Sequence, residues 1–190
     1  MRYRIPAIIA LLATATTAMA IDFAPLWDFN KPDLSEQRFR AALETATGDD
    51  ALILQTQIAR SYGLRKDFAK ARDVLKSIEK NVPAAGPEAR ARYALELGRT
   101  HASATHPPEL QTVGSRKLAR ASYESALAIA RSAHLDALAI DAIHMLAFVD
   151  TAPADQLKWG QEALAVAKAY QDATEFHHLR PERFVVHLIL

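Results

Sequence analysis

Apolar residues recur every three to four positions along most of this chain, the spacing that lays a single apolar stripe along a helix. Phe39, Ala42, Leu43 and Ala46 fall at i, i+3, i+4 and i+7 and predict a first helix. Asp33-Leu34-Ser35-Glu36 should open it as a capping box, in which the side chains satisfy free backbone N–H groups. Gly48 is expected to end it as a C-cap. Asp49-Asp50 then place carboxylates at the positive end of a second helix, which carries Leu54, Ile58, Ala59 and Tyr62 along one side. After a polar turn over 63–67, Phe68, Ala71, Leu75 and Ile78 mark a third helix over 68–81, stopped by Pro83. Further helices are predicted over 87–104, 115–134, 135–149 and 154–170. The loop over 105–114 contains Pro107-Pro108 and cannot continue a helix. The 115–134 segment carries a seam of Leu118, Ala119, Ser122, Tyr123, Ala126 and Ile129. The 135–149 segment is apolar almost all round and should be the most buried. About seven helices and no internal strand make this an all-α chain.

The two ends break the pattern. Residues 21–32, with Pro25, Trp27 and Phe29, show no period and read as an arm ordered by packing. Residues 172–190 form an apolar tail, interrupted by Pro181 and running from Phe184 to Leu190 without a charge. Repeat arrays normally end on a polar-faced cap. This tail would therefore fold back over the last helices, dock on a partner or second copy, or lead into further repeats; of these, fold-back is the expectation. Residues 1–20 have the layout of a removable secretory leader: a positive Met1-Arg2-Tyr3-Arg4, an apolar stretch, and Thr17-Ala18-Met19-Ala20 as a small-x-small cleavage site. The uncharged run is short for a membrane span and weakened by Ala and Thr. The expectation is an exported chain, periplasmic or secreted, with no membrane span once the leader is removed.

Composition sharpens this picture. With 50% hydrophobic and 24% charged residues among 190, the chain is globular rather than disordered. Its formal charge is +1, and removing Arg2 and Arg4 leaves 21 basic against 22 acidic residues. Such a balance lacks the basic face that nucleic acid requires. The absence of Cys rules out a disulfide framework, a thiol nucleophile and a lipidated leader.

Residues 50–83 span one 34-residue unit and resemble the tetratricopeptide repeat. Ile58-Ala59 stand at its Leu-Gly position, Tyr62 at its first-helix aromatic, Asp67-Phe68 at the opening of its second helix, Ala71 at its close crossing and Pro83 at its terminator. Gln55 stands where the family has Trp, and Lys66 where it has its turn Gly. Weaker copies flank it: Leu97-Gly98 with His101, Tyr123 with Ala126-Leu127, Leu146-Ala147, and Trp159 with Ala163-Leu164. Phe39-x-x-Ala42 echoes Phe68-x-x-Ala71 as half a repeat. The resemblance covers 33–171 and is specific over 50–83; beyond, the spacing stretches, and a generic paired-helix solenoid fits too. It is similar to the diverged tetratricopeptide proteins exported by Gram-negative bacteria, and implies a right-handed α-α superhelix of helix pairs.

A superhelix of that kind has a concave face that binds a peptide or partner helix. The resemblance implies that Gln55, Ala59, Tyr62, Ala94, Gly98, His101 and His144 line it, followed by Ala147. The basic clamp that some relatives use for a terminal carboxylate is absent, because small residues stand at its positions. Alternatively, these small residues simply pack the next helix. No cofactor is expected. The pairs His101/His106 and His177/His178 lack zinc-helix spacing, and His144, in the most apolar segment, reads more as a core histidine than as a ligand. No nucleophile elbow, phosphate loop or dinucleotide pattern is present. The expected function is a non-catalytic protein-binding scaffold; the alternatives are an accessory subunit of an envelope or secretion complex and, last, a metal-dependent enzyme.

Overall fold

A computed structural model describes residues 21–177, with side chains described through 169. The expected leader and most of the expected apolar tail lie outside the described residues. Among the described residues, seven α-helices follow one another: α1 (Pro32–Leu43), α2 (Gly48–Leu64), α3 (Phe68–Ile78), α4 (Pro87–His101), α5 (Val113–Ser132), α6 (Asp136–Val149) and α7 (Pro153–His177). Short 3-10 turns stand at Ala24–Leu26, Val82–Ala84 and Pro108–Leu110, and there is no strand among the described residues. The chain is all-α.

Several boundaries differ from those the pattern predicts. α1 opens at Pro32, and no side chain caps it. Proline suits this first turn because its missing N–H is one the helix cannot satisfy internally. Ser35 is fully buried instead: its Oγ accepts from the Asp28 N–H at 2.7 Å and donates to the Asp28 carbonyl at 3.0 Å. Gly48 does not end α1, which stops at Leu43. It opens α2 at φ +57°, a conformation that costs a glycine little. α7 continues to His177, past the expected 170, and so takes in the start of the predicted tail. Leu118, expected in the α5 seam, is 56% exposed, whereas Ala119, Tyr123, Ala126, Leu127 and Ala130 are buried.

Each helix from α2 to α7 packs on its predecessor, except that α3 and α4 touch less; α2 also packs on α4, and α4 meets α6. Under α1–α3 the core is built from Phe39, Leu54, Ile58, Ala71 and Leu75. A larger cluster joins α4 to α7 through Leu95, Tyr123, Ala142, Ile143, Leu146 and Trp159. Small residues set the approach of α4 and α5. A Cβ on Gly98 would lie 2.4 Å from the Tyr123 ring, so only glycine lets the ring sit there. The Tyr123 hydroxyl donates to the Ala102 carbonyl at 2.6 Å, satisfying the one polar atom of that buried side chain.

Between α2 and α3 the chain turns through Lys66 at φ 64°, the left-handed region that helix C-termini ordinarily give to glycine. Asp67 then caps α3 by accepting the Lys70 N–H at 3.2 Å. Aromatic contacts and one side-chain hydrogen bond hold residues 21–31 against α1 and α2. Trp27 stacks on Phe29 and meets Phe39 edge-on, and its indole N–H donates to Gln57 Oε1 at 3.2 Å.

Candidate interaction surface

Four charged side chains cross three helices. Arg60 projects from α2, Glu96 and Arg99 from α4, and Asp141 from α6. Arg60 lies 3.3 Å from Glu96 and 3.8 Å from Asp141. Arg99 lies 2.6 Å from Glu96 and also pairs with Asp141. The Glu96 side chain is only 3% exposed and Arg99 13%, but Arg60 and Asp141 reach 28% and 31%. The ladder thus closes on itself, with a buried side, Glu96 and Arg99, and a side that meets solvent, Arg60 and Asp141. Burial by itself would raise the Asp141 carboxyl, but the Arg99 and Arg60 guanidiniums hold it below the usual range. Burial likewise disfavours the Arg99 cation, and Asp141 and Glu96 more than offset this, so its pKa is raised. Such a network adds little net stability over apolar packing, yet losing one member strands the others. Its structural effect is to hold α2, α4 and α6 side by side.

A second cluster joins α1 to α2. The Tyr62 hydroxyl donates to Glu36 Oε1 at 2.7 Å and accepts from Arg40 at 3.2 Å. Arg65 pairs with Glu36 and lies 4.5 Å from the Tyr62 ring centre. Desolvation opposes the Glu36 charge, but Tyr62, Arg40 and Arg65 outweigh it and lower the carboxyl pKa.

The third polar feature lies in the α4–α5 loop. His106 is 6% exposed and stacks on Phe68 at 3.6 Å between ring centres. Its Nδ1 accepts the Ser103 N–H at 3.2 Å, which leaves the proton on Nε2 to be donated to the Thr100 carbonyl at 3.3 Å. Arg72 donates to the same carbonyl at 3.1 Å. Burial lowers the pKa of His106 against the help of those backbone contacts, with Arg72 adding to the fall. His101 is lowered by burial, by Arg72 and by His106.

The seven residues expected on the binding face are dispersed. Ala59 is 1% exposed and Gly98 is also buried, so these two pack helices and present no surface. Ala94, 8% exposed, lies in an open groove of about 450 Å³ between α4 and α5, lined also by Pro83, Arg90, Tyr93, Ser122 and Ile129. Gln55 borders a separate hollow against Asn81 and Ala84. Tyr62 and His101 are half-buried in the clusters just described. His144 is exposed on α6, one turn beyond Asp141, and not in the core. Among the described histidine side chains, the buried one is His106, in the loop.

The ladder itself escaped the helical pattern, although its two carboxylates interrupt apolar stretches: Glu96 stands between Leu95 and Leu97, and Asp141 between Ile140 and Ala142. A carboxylate in such a run needs a partner, and that was the available signal. Among the described residues, no three His, Asp or Glu side chains come together as a metal set, and no helix is long and apolar enough to cross a membrane. No family model matches the chain, and neither a curated protein nor a solved structure matches it.

Proposed function

We propose that this chain is an exported, non-catalytic scaffold of tetratricopeptide-like helix pairs that binds a protein or peptide on the face formed by α2, α4 and α6. The observation that carries the reading is the charge ladder. Ion pairs link the first helices of three successive pairs, α2–α3, α4–α5 and α6–α7, and Arg60 and Asp141 stay partly open to solvent. A partner laid across these helices would meet Arg60 and Asp141 as alternating charges, with His144 beside them. Lys66 adds support for the kinship, since it adopts a positive φ where the repeat family has its turn glycine. The right-handed superhelix and the concavity of the face belong to this proposal.

The test is photo-crosslinking from a benzoylphenylalanine placed at His144, compared with one at the exposed Lys117 or Ala128 of α5, in cells of an exporting host. A discrete adduct from position 144, lost in Arg60→Glu and absent from the α5 positions, supports the reading. Adducts from α5 alone, or from none of the three, overturn it. A second reading, a subunit permanently docked in a larger assembly, is favoured by α7, where Leu157 and Leu164 lie two turns apart and are 63% and 55% exposed. Constant stoichiometry with one protein through purification would distinguish it.

A further inference from the structure

We propose that cleavage between Ala20 and Ile21 creates an N-terminus that docks on Asp50, so that the arm is locked by an ion pair only in the processed chain. Two independent observations meet at this bond. By sequence, Thr17-Ala18-Met19-Ala20 ends a leader in the small-x-small pattern that signal peptidases accept. By structure, the backbone nitrogen of Ile21 lies 3.1 Å from Asp50 Oδ1. The surroundings hold that nitrogen in place. The Ile21 side chain packs against two core clusters at once, one containing Phe39, Leu54 and Ile58, the other Leu52, Ile53, Ile78 and Ala89. Further along, Trp27 bonds Gln57 and Asp28 bonds Ser35. Asp50 belongs to the first turn of α2, while its neighbour Asp49 is engaged elsewhere, accepting the Gly86 N–H at 2.9 Å.

The chemistry changes at one atom. In the unprocessed chain the Ile21 nitrogen is a neutral amide with one hydrogen to donate. Hydrolysis adds one water across the Ala20–Ile21 bond. Ala20 of the released leader becomes a carboxylate, and the Ile21 nitrogen becomes an α-ammonium, protonated at neutral pH because such groups titrate near ~8. The same nitrogen now carries a positive charge beside a carboxylate oxygen. A charge-assisted bond of this kind is about twice as strong as a neutral one. The register is demanding, because one extra residue would move the charge by about 3.5 Å. Asp50 would thus recognise correct processing: the arm would be fully anchored only when the leader has gone, and only when cleavage falls at this bond.

The experiment expresses the full chain with its own leader in an exporting bacterial host and recovers the exported protein. N-terminal sequencing should begin at Ile21. Melting is then compared for Asp50→Asn in two backgrounds, the native chain and one with a serine inserted between Ala20 and Ile21. Asn keeps the acceptor oxygen but removes its charge. The substitution should lower the melting temperature by about 2–4 °C more in the native background than in the serine-extended one, where Ile21 is an amide again and only the carboxylate's effect at the start of α2 is lost. Equal losses in the two backgrounds would overturn the proposal, as would a mature N-terminus other than Ile21 or retention of Met1. Asp50→Glu, which keeps the charge, should recover part of the loss in the native background.

Discussion

α3 and α7 each pack against the helix that precedes them, yet they are used differently. Short α3 commits a whole face: Phe68, Ala71, Leu75 and Ile78 are all buried, and Asp67 caps its start. α7 is more than twice as long, but among its described side chains only Trp159 is buried, with Ala163 and Val166 half-buried behind it. Trp159 is fixed by its indole N–H, which donates to Asp150 at 2.9 Å, an aspartate also held by Arg120. The difference shows that helical length and buried apolar surface are separate quantities here. Apolar area removed from water holds a helix in place, and α7 keeps its Leu157–Leu164 stripe outside.

The comparison predicts a graded series of effects. Leu75→Ala in α3 opens a void in a closed core and should cost about 3 kcal/mol in denaturant unfolding. A loss below about 1 kcal/mol would mean that α3 is no better anchored than α7. Glu96→Ala removes the carboxylate on the buried side of the ladder. Arg99 keeps Asp141, so we expect about 2 kcal/mol, below the full range for a stranded buried charge. Glu96→Gln should recover part of it.

Acidification comes next in size. His101 and His106 have folded pKa values below the unfolded value near ~6.5. The folded state therefore binds fewer protons than the unfolded one, and the stability these histidines contribute is present above that pH and is lost as pH falls below it. Melting at pH 7.5 should exceed that at pH 5.5 by a few degrees, and His101→Gln/His106→Gln should shrink the gap; an unchanged gap would remove the α4–α5 loop from the account. Asp141 and Glu36, whose pKa values are depressed, give their own loss only at more acid pH, through the carboxylate range.

The smallest effect belongs to α7. Leu157→Ser and Leu164→Ser should each change stability by less than about 0.5 kcal/mol. A cost comparable to that of Leu75→Ala would show the stripe to be covered.

Much of this architecture is legible in the sequence, and its gaps have a physical reason. A period of 3.6 residues reveals that a helix has an apolar side, so the buried stripes of α3 and most of α6 could be read directly. It does not reveal how that side is aimed. Leu118 and Ala119 are equivalent to the pattern, but only the alanine fits the close approach to α4 that Gly98 and Tyr123 define. The expected binding residues show the same limit. Ala59 and Gly98 are small because helices cross there, a requirement that looks identical to a groove floor when read along the chain. His144 is exposed although its apolar segment pointed to the core, whereas His106 is buried because the loop that carries it folds over Phe68 at the start of α3. Arg60, Glu96, Arg99 and Asp141 are spread over 82 positions, and only the stacking of three helices makes them one network.

The central claim is that α2, α4 and α6 share one face, and the absence of cysteine from the chain allows it to be tested directly. Arg60→Cys/Asp141→Cys should be joined within one molecule by a short bis-maleimide, while Lys117→Cys/Asp141→Cys, with one member on α5, should not. Efficient intramolecular linking in the first pair alone is the predicted result. Linking only between molecules, or equal linking in both pairs, would contradict the shared face and with it the surface proposed to bind a partner.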